Sequence, residues 1–216
     1  MTRADYTHLA IVLDRSGSMA ATRNDVVGGL KTLIEEQQKQ PGKCTLTLVQ
    51  FDNMNPCDVM VDMQPIAEVN PNRTDYDPRG GTPLRDAIGR CIVTTGAALA
   101  AMPEAERPGM VLVTIITDGE ENSSREYSAA LIAKMIKEQE SKYGWKFNYI
   151  GANQDAVVVG SALGFDANNA ATYGAEKTAG VFKNLSGKMS SSRERKSAAA
   201  MAYNAADRVE LAPEEK

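Results

Sequence analysis

The residues best equipped for chemistry are Asp14, Ser16 and Ser18, in the stretch Ile11-Val12-Leu13-Asp14-Arg15-Ser16-Gly17-Ser18-Met19. A strand-forming run stops at an aspartate, and two serines follow at alternate positions. Residues two apart in an extended segment turn to the same side, so one carboxylate and two hydroxyls can converge on a point. Gly17 between the serines leaves room for a tight reversal. Three hard oxygen donors on one small loop suit Mg²⁺ or Mn²⁺ and suit Zn²⁺ poorly. A strand end followed by a helix cap spells the same string, so these residues alone leave both readings open.

The elements that must position them can be read in order. Residues 8–13 form a buried parallel strand, apolar nearly throughout. Thr22 and Asp25 make a capping-box pattern, and Val26, Leu30, Leu33 and Ile34 recur at helical spacing, which predicts a helix over 23–38, stopped by Pro41-Gly42. Residues 44–51 alternate as a second strand. A turn at 52–56, too short for a crossover helix, makes residues 59–61 an antiparallel edge strand. The loop 67–81 ends in Gly80-Gly81-Thr82-Pro83-Leu84, where Thr82 suits an N-cap and Pro83 the first helical position. Residues 110–117 are the most apolar run, hence a central strand, and it ends at Asp118-Gly119. Ser123 and Glu126 repeat the capping box ahead of a helix through Ile132 and Ile136. A strand through Phe147 and Tyr149, a short helix opened by Asn153 or Asp155, an edge strand at 171–173 and a helix through Val181 and Met189 complete the order. This succession predicts an α/β fold with a mostly parallel sheet between two helical layers.

Ligands in such sheets bind beyond the carboxyl ends of the strands. Asp14 and Asp118 both follow apolar strands, and Thr82 precedes a helix on the same side. Three separate loops therefore bring oxygen donors to one edge, which favours the metal over the simple cap. Arg15, Met19 and Arg79 are placed on the rim, with Arg15 outward and available to a partner. Met19 also has an inward-packed reading, and Arg79 that of a solvated loop charge. Glu120 and Glu121 are read as solvating their loop, Asp52 as a turn residue, and Asp86 and Asp155 as helix-start charges.

Composition narrows the classes. In 216 residues a net charge of −4 argues against a nucleic-acid or membrane-surface face. No apolar run reaches the ~20 residues of a spanning helix, and the N-terminus lacks a signal peptide's apolar core. Three cysteines (Cys44, Cys57, Cys91) without metal-type spacing point to reduced thiols and a cytoplasmic protein. Residues 1–190 read as one domain and 191–216 as a charged hinge (190–196) with an Ala-rich, solvated or partner-dependent tail helix. Catalysis is poorly provided for. The only histidine, His8, starts the first strand, away from Asp14, and a phosphohydrolase would need a second carboxylate where Ser16 stands.

The set Asp14-x-Ser16-x-Ser18, Thr82 in Gly80-Gly81-Thr82-Pro83-Leu84, and Asp118 in Thr117-Asp118-Gly119 closely resembles the metal-ion-dependent adhesion site of von Willebrand factor type A (vWA) domains. The motifs occur in the family's order, over roughly residues 6–175. The Thr117-Asp118-Gly119-Glu120-Glu121-Asn122 loop looks like that of stand-alone bacterial and phage proteins of this type, including the tellurite-resistance-associated kind. The resemblance implies a Rossmann-like three-layer α/β/α fold with one antiparallel edge strand. It implies that Ser16, Ser18 and Thr82 give hydroxyl oxygens to Mg²⁺ or Mn²⁺, with Asp14 and Asp118 bound directly or through water. It also implies a protein partner presenting Asp or Glu, with no small-molecule substrate. Adaptor subunits of AAA+ ATPases or chelatases, and phage particle components, are the alternative contexts, with the tail as a docking helix.

Overall fold

Strand β1 (Arg3–Asp14) is apolar on both faces: Leu9, Ile11 and Leu13 turn one way, Ala10 and Val12 the other, all buried. Such a strand is stable only inside a sheet covered on both sides. A computed structural model of the chain, which describes residues 2–152 and 155–214, has that arrangement. A 3₁₀ turn (Gly17–Thr22) leads into α1 (Arg23–Gln38), β2 (Lys43–Phe51) and β3 (Asp58–Pro65). Then come α2 (Leu84–Ala101), β4 (Pro108–Thr117), α3 (Ala129–Tyr143), β5 (Lys146–Ala152) and α4 (Ala156–Ala162). β6 (Ala170–Tyr173), α5 (Thr178–Arg195) and α6 (Ala205–Leu211) end the order.

The sheet runs β3-β2-β1-β4-β5-β6, parallel except where β3 pairs antiparallel with β2. α1 and α5 cover one face, packing Leu33, Phe182 and Met189 on Leu9, Ile11 and Leu112. α2, α3 and α4 cover the other, where Ile88, Ile132 and Ala156 meet Val12, Val113 and Phe147. The fold is the Rossmann-like α/β architecture expected, with one antiparallel edge strand. β1 and β4 are neighbours although the chain visits β2 and β3 between them, so the strand order switches direction there. The register Leu13↔Ile116 sets the carboxyl ends of β1 and β4 side by side at that switch point.

Several local expectations differ from the structure. β1 begins at Arg3, paired with Pro108, so His8 lies within the strand rather than at its start. It is fully buried, with Nδ1 2.9 Å from the Thr45 hydroxyl, and burial lowers its pKa to about 4. α2 starts at Leu84 with Pro83 at the cap, and Thr82 makes no capping bond. α3 starts at Ala129, capped by Ser128, rather than after Ser123. The reason lies on α2: the buried Asp86 carboxylate accepts the N–H groups of Arg125, Glu126 and Tyr127 at 2.8, 3.0 and 3.0 Å, holding those residues in a loop. Asp86 lies in the first turn of α2, as a helix-start charge should, and also organises this loop. Asp155 does cap its helix, accepting from Val157 and Val158, while Asn153 lies outside the described residues.

The stretch expected as a solvated hinge is the last turns of α5. Arg193, only 7% exposed, donates to the carbonyls of Gln37, Gln40, Pro41 and Gly42 and so caps the C-terminal end of α1. Beyond it, Met201, Tyr203 and Leu211 are buried in the α1/α5 core, so the Ala-rich tail is packed rather than solvated. Among the described residues no helix is long and apolar enough to cross a membrane.

Candidate metal centre

Because β1 and β4 end side by side, Asp14 and Thr117 are in reach, and Thr117 donates its hydroxyl to Asp14 Oδ2 at 2.6 Å. The other carboxylate oxygen, Oδ1, accepts the Ser16 N–H at 2.7 Å, which turns the chain after the strand. Ser16 and Ser18 hydroxyls then lie 3.0 Å apart, and Ser18 donates to Asp118 Oδ1 at 2.6 Å. Thr82 arrives from the loop before α2, pinned by two bonds to Asn122: its N–H donates to Asn122 Oδ1 (2.9 Å) and its carbonyl accepts the Asn122 N–H (3.2 Å). The Thr82 hydroxyl makes no hydrogen bond among the described residues, which leaves its lone pairs for another use.

Gly119 shows where these groups meet. A Cβ built on it would lie 2.9 Å from Thr82 Oγ1, 3.4 Å from Ser18 Oγ and 3.6 Å from Ser16 Oγ. The three hydroxyls therefore surround one small volume that a side chain at position 119 would invade. Glycines also let the loops close on one another. Gly17 donates to the Gly80 carbonyl at 3.0 Å, and Gly80, at φ +66°, holds a conformation that suits glycine. The structure thus brings together Asp14, Ser16, Ser18, Thr82 and Asp118. Among the described residues no group of three or more His, Cys, Asp or Glu side chains could hold a metal. Two carboxylates and three hydroxyls are instead a hard, all-oxygen donor set, which fits a divalent cation such as Mg²⁺ or Mn²⁺.

The electrostatics agree with that fit. Burial drives the Asp14 carboxyl up to about 6, against the hydrogen bonds from Thr117 and Ser16 that lower it, and the nearby Asp118 charge raises it further. Asp118 is also raised, mainly by burial, with the Ser18 bond opposing. Two carboxyls held above their ordinary range, with neutral bonding partners, are stabilised by a cation placed beside them.

The expected rim is only partly at the surface. Arg15 is 6% exposed and bonded to Asp52, Asp58 and Gln50, so it is buried rather than offered to a partner. Met19 is fully buried, taking the inward reading, while Arg79 is exposed. Asp52 is more than a turn residue. Its Oδ1 holds the N–H groups of Met54 and Asn55, and its Oδ2 receives both Arg15 and Arg79. Glu121, read as a solvating charge, accepts the N–H groups of Arg85, Ser123 and Ser124. Sequence reasoning also missed Thr117, Asn122 and Tyr76, whose buried hydroxyl donates to the Asp14 carbonyl at 2.5 Å. A hydroxyl ending the most apolar strand was the available signal for Thr117; nothing local marks Tyr76 or Asn122.

Comparison with known proteins rests on shape. No family model matches the sequence, and no curated protein matches it. Solved structures do. A von Willebrand factor type A protein from Catenulispora acidiphila superposes with a TM-score of 0.54 at 16% identity, over 90% of this chain and 42% of that one. The proximal thread matrix protein 1 of the mussel byssus, in a form with a zinc-occupied metal-ion-dependent adhesion site motif, gives 0.59 at 14% identity, over 86% of this chain and 46% of its own. The vWF domain of a type V pili tip protein from Porphyromonas gingivalis gives 0.59 at 10%, over 85% and 94%. This chain thus spans less than half of the first two. The fold is that of von Willebrand factor type A domains.

Proposed function

We propose that this chain is a vWA-family binding module in which Asp14, Ser16, Ser18, Thr82 and Asp118 hold a divalent cation, Mg²⁺ or Mn²⁺, that receives an acidic side chain of a partner protein. The observation that carries this reading is the crowding of three hydroxyls from two loops around the volume kept clear by Gly119, with two raised carboxyls beside it. Ser16, Ser18 and Thr82 supply neutral oxygens, and the Thr117 hydroxyl and Ser16 N–H orient Asp14 toward them. A hard divalent ion held mainly by neutral oxygens stays electron-poor and attracts one more anionic oxygen, which is the chemistry it supplies here. Binding is favoured over catalysis, because among the described residues no titratable group other than Asp14 and Asp118 joins this donor set and the buried His8 is bonded to Thr45 on β2. The related byssus protein holds zinc, so zinc belongs in any test of the preferred ion. The cysteines Cys44, Cys57 and Cys91 are unpaired, the state kept by a reducing compartment, and a cytoplasmic location is part of the proposal.

The test is a melting-temperature titration of chelator-stripped protein with Mg²⁺, Mn²⁺ and Zn²⁺. Ligand at 100 times its Kd stabilises a fold by about 2.7 kcal/mol, or several degrees. A saturable upward shift that Asp118→Ala removes is expected. An equal shift in that variant would place the ion elsewhere.

A further inference from the structure

We propose that Arg79 is a second anchor for the guest of the metal site, so that the guest is a protein segment carrying two acidic side chains, one for the ion and one for this guanidinium. The inference rests on the metal-bridging reading above and adds the partner's chemistry to it.

Arg79 is tied to the metal loop through its backbone. Its N–H donates to the Arg15 carbonyl at 2.8 Å, and the next residue, Gly80, accepts the Gly17 N–H at 3.0 Å, between the two serines. Its side chain is equally fixed. Nε donates to Asp52 Oδ2 at 2.9 Å, while Nη1 and Nη2 have no hydrogen-bond partner among the described residues. The Asp52 carboxylate is fully buried, whereas the Arg79 side chain is 48% exposed. Solvent therefore meets the guanidinium and not the carboxylate behind it. Asp52 is itself immobilised by Arg15 and by the N–H groups of Met54 and Asn55. A guanidinium braced in this way loses less freedom when it binds, and its two nitrogens without a partner among the described residues match the two oxygens of a carboxylate. Glu120, two residues after Asp118, is exposed, and a negative charge on that loop disfavours a second acid beside it.

The test uses the full chain loaded with Mn²⁺ and fluorescein-labelled Gly/Ser peptides, read by anisotropy with and without chelator. One peptide carries a single Glu, and three others carry two Glu separated by one, two or three residues. At least one two-acid peptide is expected to bind about tenfold more tightly than the single-acid peptide. In Arg79→Gln that advantage should shrink to the statistical gain of carrying two acids, and Arg79→Lys should restore part of it. An advantage that survives Arg79→Gln, or none in the wild type, would overturn the second anchor while leaving the metal reading intact. Failure of every peptide to bind in a chelator-sensitive way would overturn the metal reading and the second anchor with it.

Discussion

Asp14 ends β1 and Asp52 follows the end of its parallel neighbour β2; both are fully buried, yet their carboxyls are shifted in opposite directions. At Asp14 burial raises the pKa to about 6, and its hydrogen-bond donors are a backbone N–H and neutral hydroxyls. At Asp52 burial also pushes upward, but bonds from Asn55, Arg79, Met54 and Arg15 outweigh it and hold the carboxyl below its ordinary range. One aspartate has its cations built into the chain; the other sits among hydroxyls, with no cationic side chain bonded to it among the described residues, which is why the proposed ion is assigned there. Two carboxylates a strand apart can thus serve opposite ends: Asp52 joins three loops, and Asp14 forms the floor of a site.

That contrast can be broken most severely at Asp52. Asp52→Ala leaves Arg15 buried with one acidic partner fewer and should cost about 3–5 kcal/mol in urea unfolding. A loss under ~1 kcal/mol would mean that the cluster contributes little.

The opposite sign is expected for Asp14 without metal. Its folded pKa lies above the ordinary 3.8, so the folded state binds more protons than the unfolded one between those values. The stability this group confers is therefore complete below about pH 4 and is lost as pH rises through about 6, a difference of the order of 3 kcal/mol. Comparing metal-free wild type with Asp14→Asn from pH 4 to 8 isolates it: the wild type should lose ground as pH rises. The Mn²⁺-induced shift should run the other way and grow with pH, because the ion competes with the proton. A pH-independent difference between the two proteins would remove Asp14 from this role.

Gly119→Ala sharpens the comparison at the level of space. The added methyl enters the volume between Thr82, Ser18 and Ser16 and should weaken Mn²⁺ binding by about tenfold, or about 1.4 kcal/mol. The smallest effect belongs to Asp14→Asn at pH 4 without metal, where both side chains are neutral and the variant should lie within ~1 kcal/mol of wild type. Calorimetric titration and urea melts check these two.

Much of the architecture was legible because hydrophobic periodicity is local. The apolar runs at β1 and β4 require burial on both faces, and α1 occupies the residues its spacing predicts. The meeting of the five oxygen-bearing residues was legible because Asp14, Ser16, Ser18 and Asp118 lie at or just beyond the ends of β1 and β4, and Thr82 precedes a helix on the same side. The misses share a different cause. α3 starts late because a carboxylate on α2 satisfies the preceding N–H groups. Residues 190–195 are helical rather than a hinge because Arg193 finds open carbonyls at the end of α1. Arg15 is buried because Asp52 just after β2 and Asp58 at the start of β3 await it.

The order of residues by itself determined the alternation of strands and helices and which side chains could reach the sheet's carboxyl edge, since those follow from period and chain direction. Only the folded molecule decided which polar groups at that edge cancel one another and which stay available. Hydrogen bonds and ion pairs between residues tens of positions apart depend on loop packing, and the same Asp or Arg can become a brace or a binding group according to what the neighbouring loop brings to it.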